Sequence, residues 1–193
     1  MKNSGGPEGR GKVLPSLRHS DGVTLIELIV VVSVIAILVV ALGFSFQGWR
    51  GKYQVESEMK EMYVDLMNAR ARALQRNRVH FVRLATTSYT IYEDTAPAPD
   101  GNGTLETGTD TLVVSKNVEP AHPLTWNDFS DVQINFSQRG LSSDNKTICS
   151  NTDFDADYDC IIISNSRVNL GKLSTSIPDG GTCGGTPNNC AAK

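Results

Sequence analysis

One stretch limits every fold open to this chain: residues 23–42, a run of 20 in which Glu27 is the only charge and Thr24 and Ser33 the only other polar side chains. As a helix the run extends about 30 Å, the hydrocarbon thickness of a bilayer, and it reads as a membrane span. An ionised carboxylate inside such a segment costs about 2.5–3.5 kcal/mol, so Glu27 needs either a headgroup-level position near the helix end or a partner. The residues ahead of the run carry Lys2, Arg10, Lys12 and Arg18 against Glu8 and Asp21 and show no apolar periodicity. Positive charge before a span holds that end in the cytoplasm and sends the rest of the chain outside. Ala36 and Ala41 sit inside the continuing run, so a cut before the run is favoured over the late cut of an ordinary secretory signal.

Gly22-Val23-Thr24-Leu25-Ile26-Glu27-Leu28 resembles the processing site of type IV pilins and of the pseudopilins of type II secretion. The resemblance implies cleavage after Gly22 by a prepilin peptidase, methylation of the new amino terminus at Val23, and a role for Glu27 in filament assembly. It also implies partners: other pilin or pseudopilin subunits, met through the amino-terminal helix, and an inner-membrane assembly machinery. The family usually has Phe where Val23 stands.

Beyond the span the pattern changes twice. Gly43, Gly48 and Gly51 fall close together, and glycine costs about 1 kcal/mol relative to alanine inside a helix, so a helix should be weakest there. Trp49 and Arg50 suit a membrane exit, and the resemblance implies that this region loosens in a filament. From 52 to 78, Val55, Met59, Met62, Leu66, Ala69 and Ala73 recur every three or four residues, which aligns them on one helical face, a seam of modest side chains suited to a sheet. After Asn77 the period becomes two. Residues 79–84 and 88–92 read as a hairpin, and 111–115, 132–136, 160–164 and 167–170 as further strands. A helix followed by antiparallel strands is an α+β plan: a long amino-terminal helix, transmembrane in its first half and amphipathic in its second, packed on an antiparallel β-rich, pilin-like domain. Phe136-Ser137-Gln138-Arg139-Gly140 before the last hairpin resembles the GspH/FimT branch, which supplies minor pseudopilins and minor type IV pilins.

The residues after Gly22 hold 14 Lys and Arg against 19 Asp and Glu, a net −5, which argues against broad attraction to nucleic acid. The four cysteines, Cys149, Cys160, Cys183 and Cys190, lie in the last quarter. Of the three possible pairings, Cys149 with Cys160 and Cys183 with Cys190 close the shortest loops. A body outside the cytoplasm favours disulfides, and no CxxC spacing or nearby His supports zinc. The Gly-, Pro- and Asn-rich tail beyond 174 is expected to depend on a disulfide for its order.

Three further groups are candidates. Asp153, Asp155, Asp157 and Asp159 alternate along the chain, which suits Ca²⁺, but an EF-hand started at Asp153 would have Tyr158 and Ser164 where glycine and glutamate belong. The simpler expectation is a solvated loop or strand face. Arg70, Arg72, Arg76 and Arg78 gather at a helix end, where cations meet the helix dipole favourably; the alternative is a DNA contact. Some minor pilins of the FimT kind bind DNA through an Arg-rich motif near the C-terminus, and here only Asn165-Ser166-Arg167-Val168-Asn169 stands in that place. His19, His80 and His122 are scattered, and no nucleophile motif or phosphate-binding glycine loop is present, which points away from an enzyme.

The expected organisation is a cleaved leader (1–22), a transmembrane and assembly helix (23–51), its amphipathic half (52–78), a β-rich domain (79–173) and a disulfide-closed tail (174–193). The resemblance implies a non-enzymatic minor pilin or pseudopilin, single-pass in the bacterial inner membrane with its body periplasmic, and then part of a pilus or secretion pseudopilus. The competing readings are a DNA-binding uptake pilin and a single-span periplasmic domain that never assembles.

Overall fold

The computed structural model describes residues 22–128, 130–175, 177, 181–183 and 190–193, with the side chains of 41–47 outside the described set. Its elements are α1 (Leu25–Arg76), β1 (His80–Ala85), β2 (Ser88–Glu93), β3 (Thr111–Asn117), β4 (Leu124–Trp126), β5 (Gln133–Phe136), β6 (Lys146–Ser150), β7 (Cys160–Ser164), β8 (Arg167–Leu173) and β9 (Cys190–Ala192). This is the expected α+β order. The chain divides into two compact units, Met1–Gly43 and Phe44–Lys193.

In the first unit the described part is helical from Leu25. Its large apolar side chains from Val23 to Val40 are each 51–78% exposed. The Ser33 hydroxyl donates to the Ile29 carbonyl at 2.8 Å, which satisfies that donor within the helix. Among the described residues no helix is long and apolar enough to cross a membrane. The span read over 23–42 runs into Ala41 and Leu42, whose side chains lie outside the described set, as does the leader over 1–21.

In the second unit two antiparallel sheets share one core with α1. One has the order β3-β2-β1-β5 and the other β4-β6-β7-β8-β9. The predicted helical seam is the hub: Val55, Met59, Met62, Leu66, Ala69 and Ala73 are all at most 2% exposed. Against it lie Val82, Leu84, Tyr89, Ile91, Ile134 and Phe136 from the first sheet and Leu124, Trp126, Ile148, Ile161, Ile163 and Val168 from the second. Along β1 and β2, period-2 alternation directs His80, Val82, Leu84, Tyr89, Ile91 and Glu93 to this inner face, as the cross-strand pairs His80 with Glu93, Val82 with Ile91 and Leu84 with Tyr89 record. The Tyr89 hydroxyl donates to Asp65 Oδ2 of α1 at 2.8 Å, and burial beside that carboxylate pushes the phenol's pKa up. Lys146, 3% exposed, links the sheets: its Nζ donates to the Asp131 and Gln133 carbonyls at 2.6 and 2.8 Å and pairs with the Asp131 carboxylate at 3.0 Å.

The second sheet is covered on both faces. Ile148 and Ile161 turn to the main core, while Cys149, Cys160, Cys183, Cys190 and Ile177, with Ile162 and Leu173 beside them, form a smaller cluster. A strand buried on both faces reads as an unbroken apolar run, which is why β7 is Cys-Ile-Ile-Ile. The long hairpin loop between β2 and β3 is organised by two buried carboxylates. Asp94 accepts the Asn102 and Gly103 amides at 3.1 and 2.7 Å, and Asp110 accepts those of Thr95, Ala96 and Glu106 at 3.0, 3.1 and 2.7 Å. Gly101, at φ +79°, has no room for a side chain against the Asp94 carboxylate.

The sequence reading of six strands is short by β4, β6 and β9. The helix continues through 43–51, and Gly51 is buried against the Phe154 ring, which a Cβ there would overlap.

Candidate processing and assembly site

The segment that resembles a pilin processing site has a defined local geometry. Gly22, Val23 and Thr24 are outside the helix, which begins at Leu25. Thr24 is the cap: its hydroxyl accepts the Glu27 amide at 3.3 Å and its carbonyl accepts the Leu28 amide at 3.2 Å. Thr24-Leu25-Ile26-Glu27 thus has the spacing of a capping box, with Glu27 at the third helical position. Glu27 lies in the first turn, where the helix dipole favours negative charge. The sequence reading passed over Thr24, although its signal, a Thr three residues before a Glu ahead of an apolar run, was in plain view.

The cysteines are bridged, but not in the sequential pairs expected. Cys149 joins Cys183 and Cys160 joins Cys190. The reason is the sheet: Cys149 and Cys160 are register partners on β6 and β7, so both side chains leave the same face. That face is covered by the tail, and each cysteine meets a tail cysteine instead of its neighbour. The tail is therefore stapled to the sheet and is not a loop closed on itself. Its residues 178–180 and 184–189 lie outside the described set.

The acids are engaged by lysines: Asp155, Asp157 and Asp159 all lie near Lys172. No group of three or more His, Cys, Asp or Glu able to hold a metal occurs among the described residues. The stretch is the β6–β7 loop, not a strand with one acidic face. Asp155 pairs with Lys172 at 2.6 Å and Lys52 at 3.9 Å, and Asp157 with Lys193 at 3.1 Å. The hydrogen bond from Lys172 holds the Asp155 carboxyl below its ordinary range, and Lys193 does the same for Asp157. Asp159, 5% exposed, accepts the Leu173 amide at 2.6 Å; burial pushes its pKa up. Asp153 is exposed.

The arginines divide likewise. Arg76 and Arg78 both pair with buried Glu93, at 2.7 and 3.4 Å, and Arg78 also donates to the Pro99 carbonyl, so half of the helix-end cluster is used within the fold. Arg70 is half-buried, Arg72 exposed, and Arg167 exposed where β8 begins, its carbonyl accepting the Ser164 hydroxyl at 3.3 Å.

The profile described as Type II transport protein GspH matches residues 58–167, more than half of the sequence. The chain belongs to the GspH family. A second profile, the prokaryotic N-terminal methylation motif, matches residues 17–43 and contains the Gly22 to Glu27 segment. This GspH-family chain is a minor pilin or pseudopilin, and the family is a structural one. No curated protein matches it. Solved structures similar to it include the minor pseudopilin EpsH from the type II secretion system of Vibrio cholerae, with 11% identity over 62% of this chain and 96% of the other and a TM-score of 0.45. The type IV minor pilin FimU of Pseudomonas aeruginosa has 13% identity over 63% of this chain and 91% of its own, with a TM-score of 0.46.

Proposed function

We propose that the chain is made as a precursor in the bacterial inner membrane, cut between Gly22 and Val23 by a prepilin peptidase, methylated at Val23, and moved by an inner-membrane assembly machinery into a pilus or type II secretion pseudopilus. Before that step its body is periplasmic, and within the filament its partners are other pilin or pseudopilin subunits. The observation that carries this reading is the apolar helix beginning at Leu25, three residues after Gly22, with each of its large apolar side chains from Leu25 to Val40 more than half exposed. Apolar surface on that scale calls for lipid or other subunits as cover. Glu27 at its start would be neutralised by a positive group once the helix is packed, most simply a neighbouring subunit's amino terminus.

Amino-terminal sequencing and intact-mass measurement, with and without a co-expressed prepilin peptidase, test the reading. Methylated Val23 is expected as the first residue when the peptidase is present. A chain still starting at Met1 under those conditions overturns it.

A further inference from the structure

The β6–β7 loop, residues 151–159, touches three parts of the second unit at once. At its base, register partners Cys149 and Cys160 are each bridged to the tail, through Cys183 and Cys190. In its middle, the Phe154 ring occupies the space left by the missing side chain of Gly51 on α1 and meets His122 edge-on at 5.2 Å. The Asp157 amide donates to Glu56 Oε1 at 3.0 Å, and this bond helps to hold the Glu56 carboxyl below its ordinary range. Tyr158 has the Lys60 ammonium of α1 at 4.8 Å from its ring centre and that of Lys193 at 5.4 Å. Lys193 is itself docked, its amide donating to the Leu170 carbonyl at 3.0 Å and its Nζ to Asp157 at 3.1 Å. Helix, loop and chain end therefore meet around Tyr158.

We propose that this loop is a clamp on residues 51–60 of α1 whose closure depends on the oxidation state of the two tail bridges. The cluster behind the loop is built from the four cysteine side chains with Ile177, Ile162 and Leu173. The described part of the tail has few apolar residues of its own and is held on the sheet by the bridges together with the β8–β9 pairing and the Thr125 hydroxyl's bond to the Gly181 carbonyl at 3.0 Å. A small dithiol attacks one sulfur of a bridge, forming a mixed disulfide and releasing the other cysteine as a thiol, and its second thiol then attacks its own sulfur in the mixed disulfide and releases the first cysteine. The protein bridge takes up two electrons and two protons, and the dithiol leaves as its own disulfide. Reduction of Cys160–Cys190 frees β9 from β8 and with it the Lys193 contact to Tyr158 and Asp157. Reduction of Cys149–Cys183 uncovers the base of the loop. The loop is then held to α1 by Phe154, only half-buried, and by the polar contacts of Asp157 to Glu56, Asp155 to Lys52 and Tyr158 to Lys60. The main core, with Met62, Leu66, Ala69 and Ala73, contains no cysteine and remains packed.

Hydrogen exchange read by mass spectrometry on the full chain in detergent micelles, with and without dithiothreitol, tests the clamp. Reduction should speed exchange about tenfold or more in 52–60 and 151–159 and leave 62–73 within about twofold, the pattern of a local opening. In the oxidised chain, Phe154→Ala should loosen 52–60 in the same way with both bridges intact. Unchanged exchange in 52–60 on reduction overturns the proposal. So does acceleration spread evenly through 62–73, which would make the bridges general staples of the whole unit, and so does a Phe154→Ala chain indistinguishable from the parent.

Discussion

His80 is a titratable residue shut off from water. It opens β1 with no accessible surface, its Nδ1 lies 3.3 Å from the Arg78 carbonyl, and its Nε2 has no hydrogen-bond partner among the described residues. Burial pushes its pKa down, while Glu93 draws it up and Arg72 and Arg76 push it further down. The unfolded chain therefore takes up the proton first as pH falls, and the stability held at neutral pH is lost below the ordinary imidazole range. Between pH 7 and 5 the parent's melting temperature should fall more steeply than that of His80→Gln; parallel slopes would remove His80 as the cause. Gly51 makes a different demand. A valine there drives a side chain into the Phe154 ring and should lower stability by about 1–3 kcal/mol in urea unfolding. Phe154→Ala on that background should recover part of the loss, because the overlapping group is gone.

Among the elements, the seam on α1 was legible because six apolar residues repeat every three or four positions. The hairpin of β1 and β2 was legible because β2 alternates over all six residues and β1 over its last four, Val82 to Ala85. The strands that escaped notice lack either cue. β4 and β9 have three residues each, and all five positions of β6 are buried, so Lys146 and Ser150 disguise a strand with two covered faces. β9 in addition lies in a stretch whose composition argues for a loop, and it pairs with β8 where a bridge brings Cys190 opposite Leu173. Changing Cys160 and Cys190 together to serine should therefore cost about 3–4 kcal/mol, the chain-entropy value for a separation of 30 residues. Chemical denaturation against the parent measures it, and a loss well under 1 kcal/mol would show that pairing alone holds β9.

For the molecule as a whole, the prediction concerns Glu27. Its substitution by alanine keeps the Thr24 cap and makes the helix more apolar, so Glu27→Ala should still enter the membrane fraction while its share in sheared filaments falls by about tenfold, the effect of losing roughly 1.4 kcal/mol per contact. Equal recovery in filaments would count against an assembly role. The sequence by itself determined the apolar helix, its continuation as a core-facing seam, the α+β order and the family, since each is written in local periodicity or in a contiguous motif. Only the tertiary structure decided which cysteines join, which acids are held by lysines, which arginines are taken by Glu93 and what the third glycine is for. Those outcomes depend on which faces two sheets turn to one helix, and partners far apart in the chain leave no local pattern to read. The helix at Leu25 belongs to both accounts: its apolar length was evident from composition, while its start, set by Thr24 three residues before Glu27, became plain in the geometry of the cap.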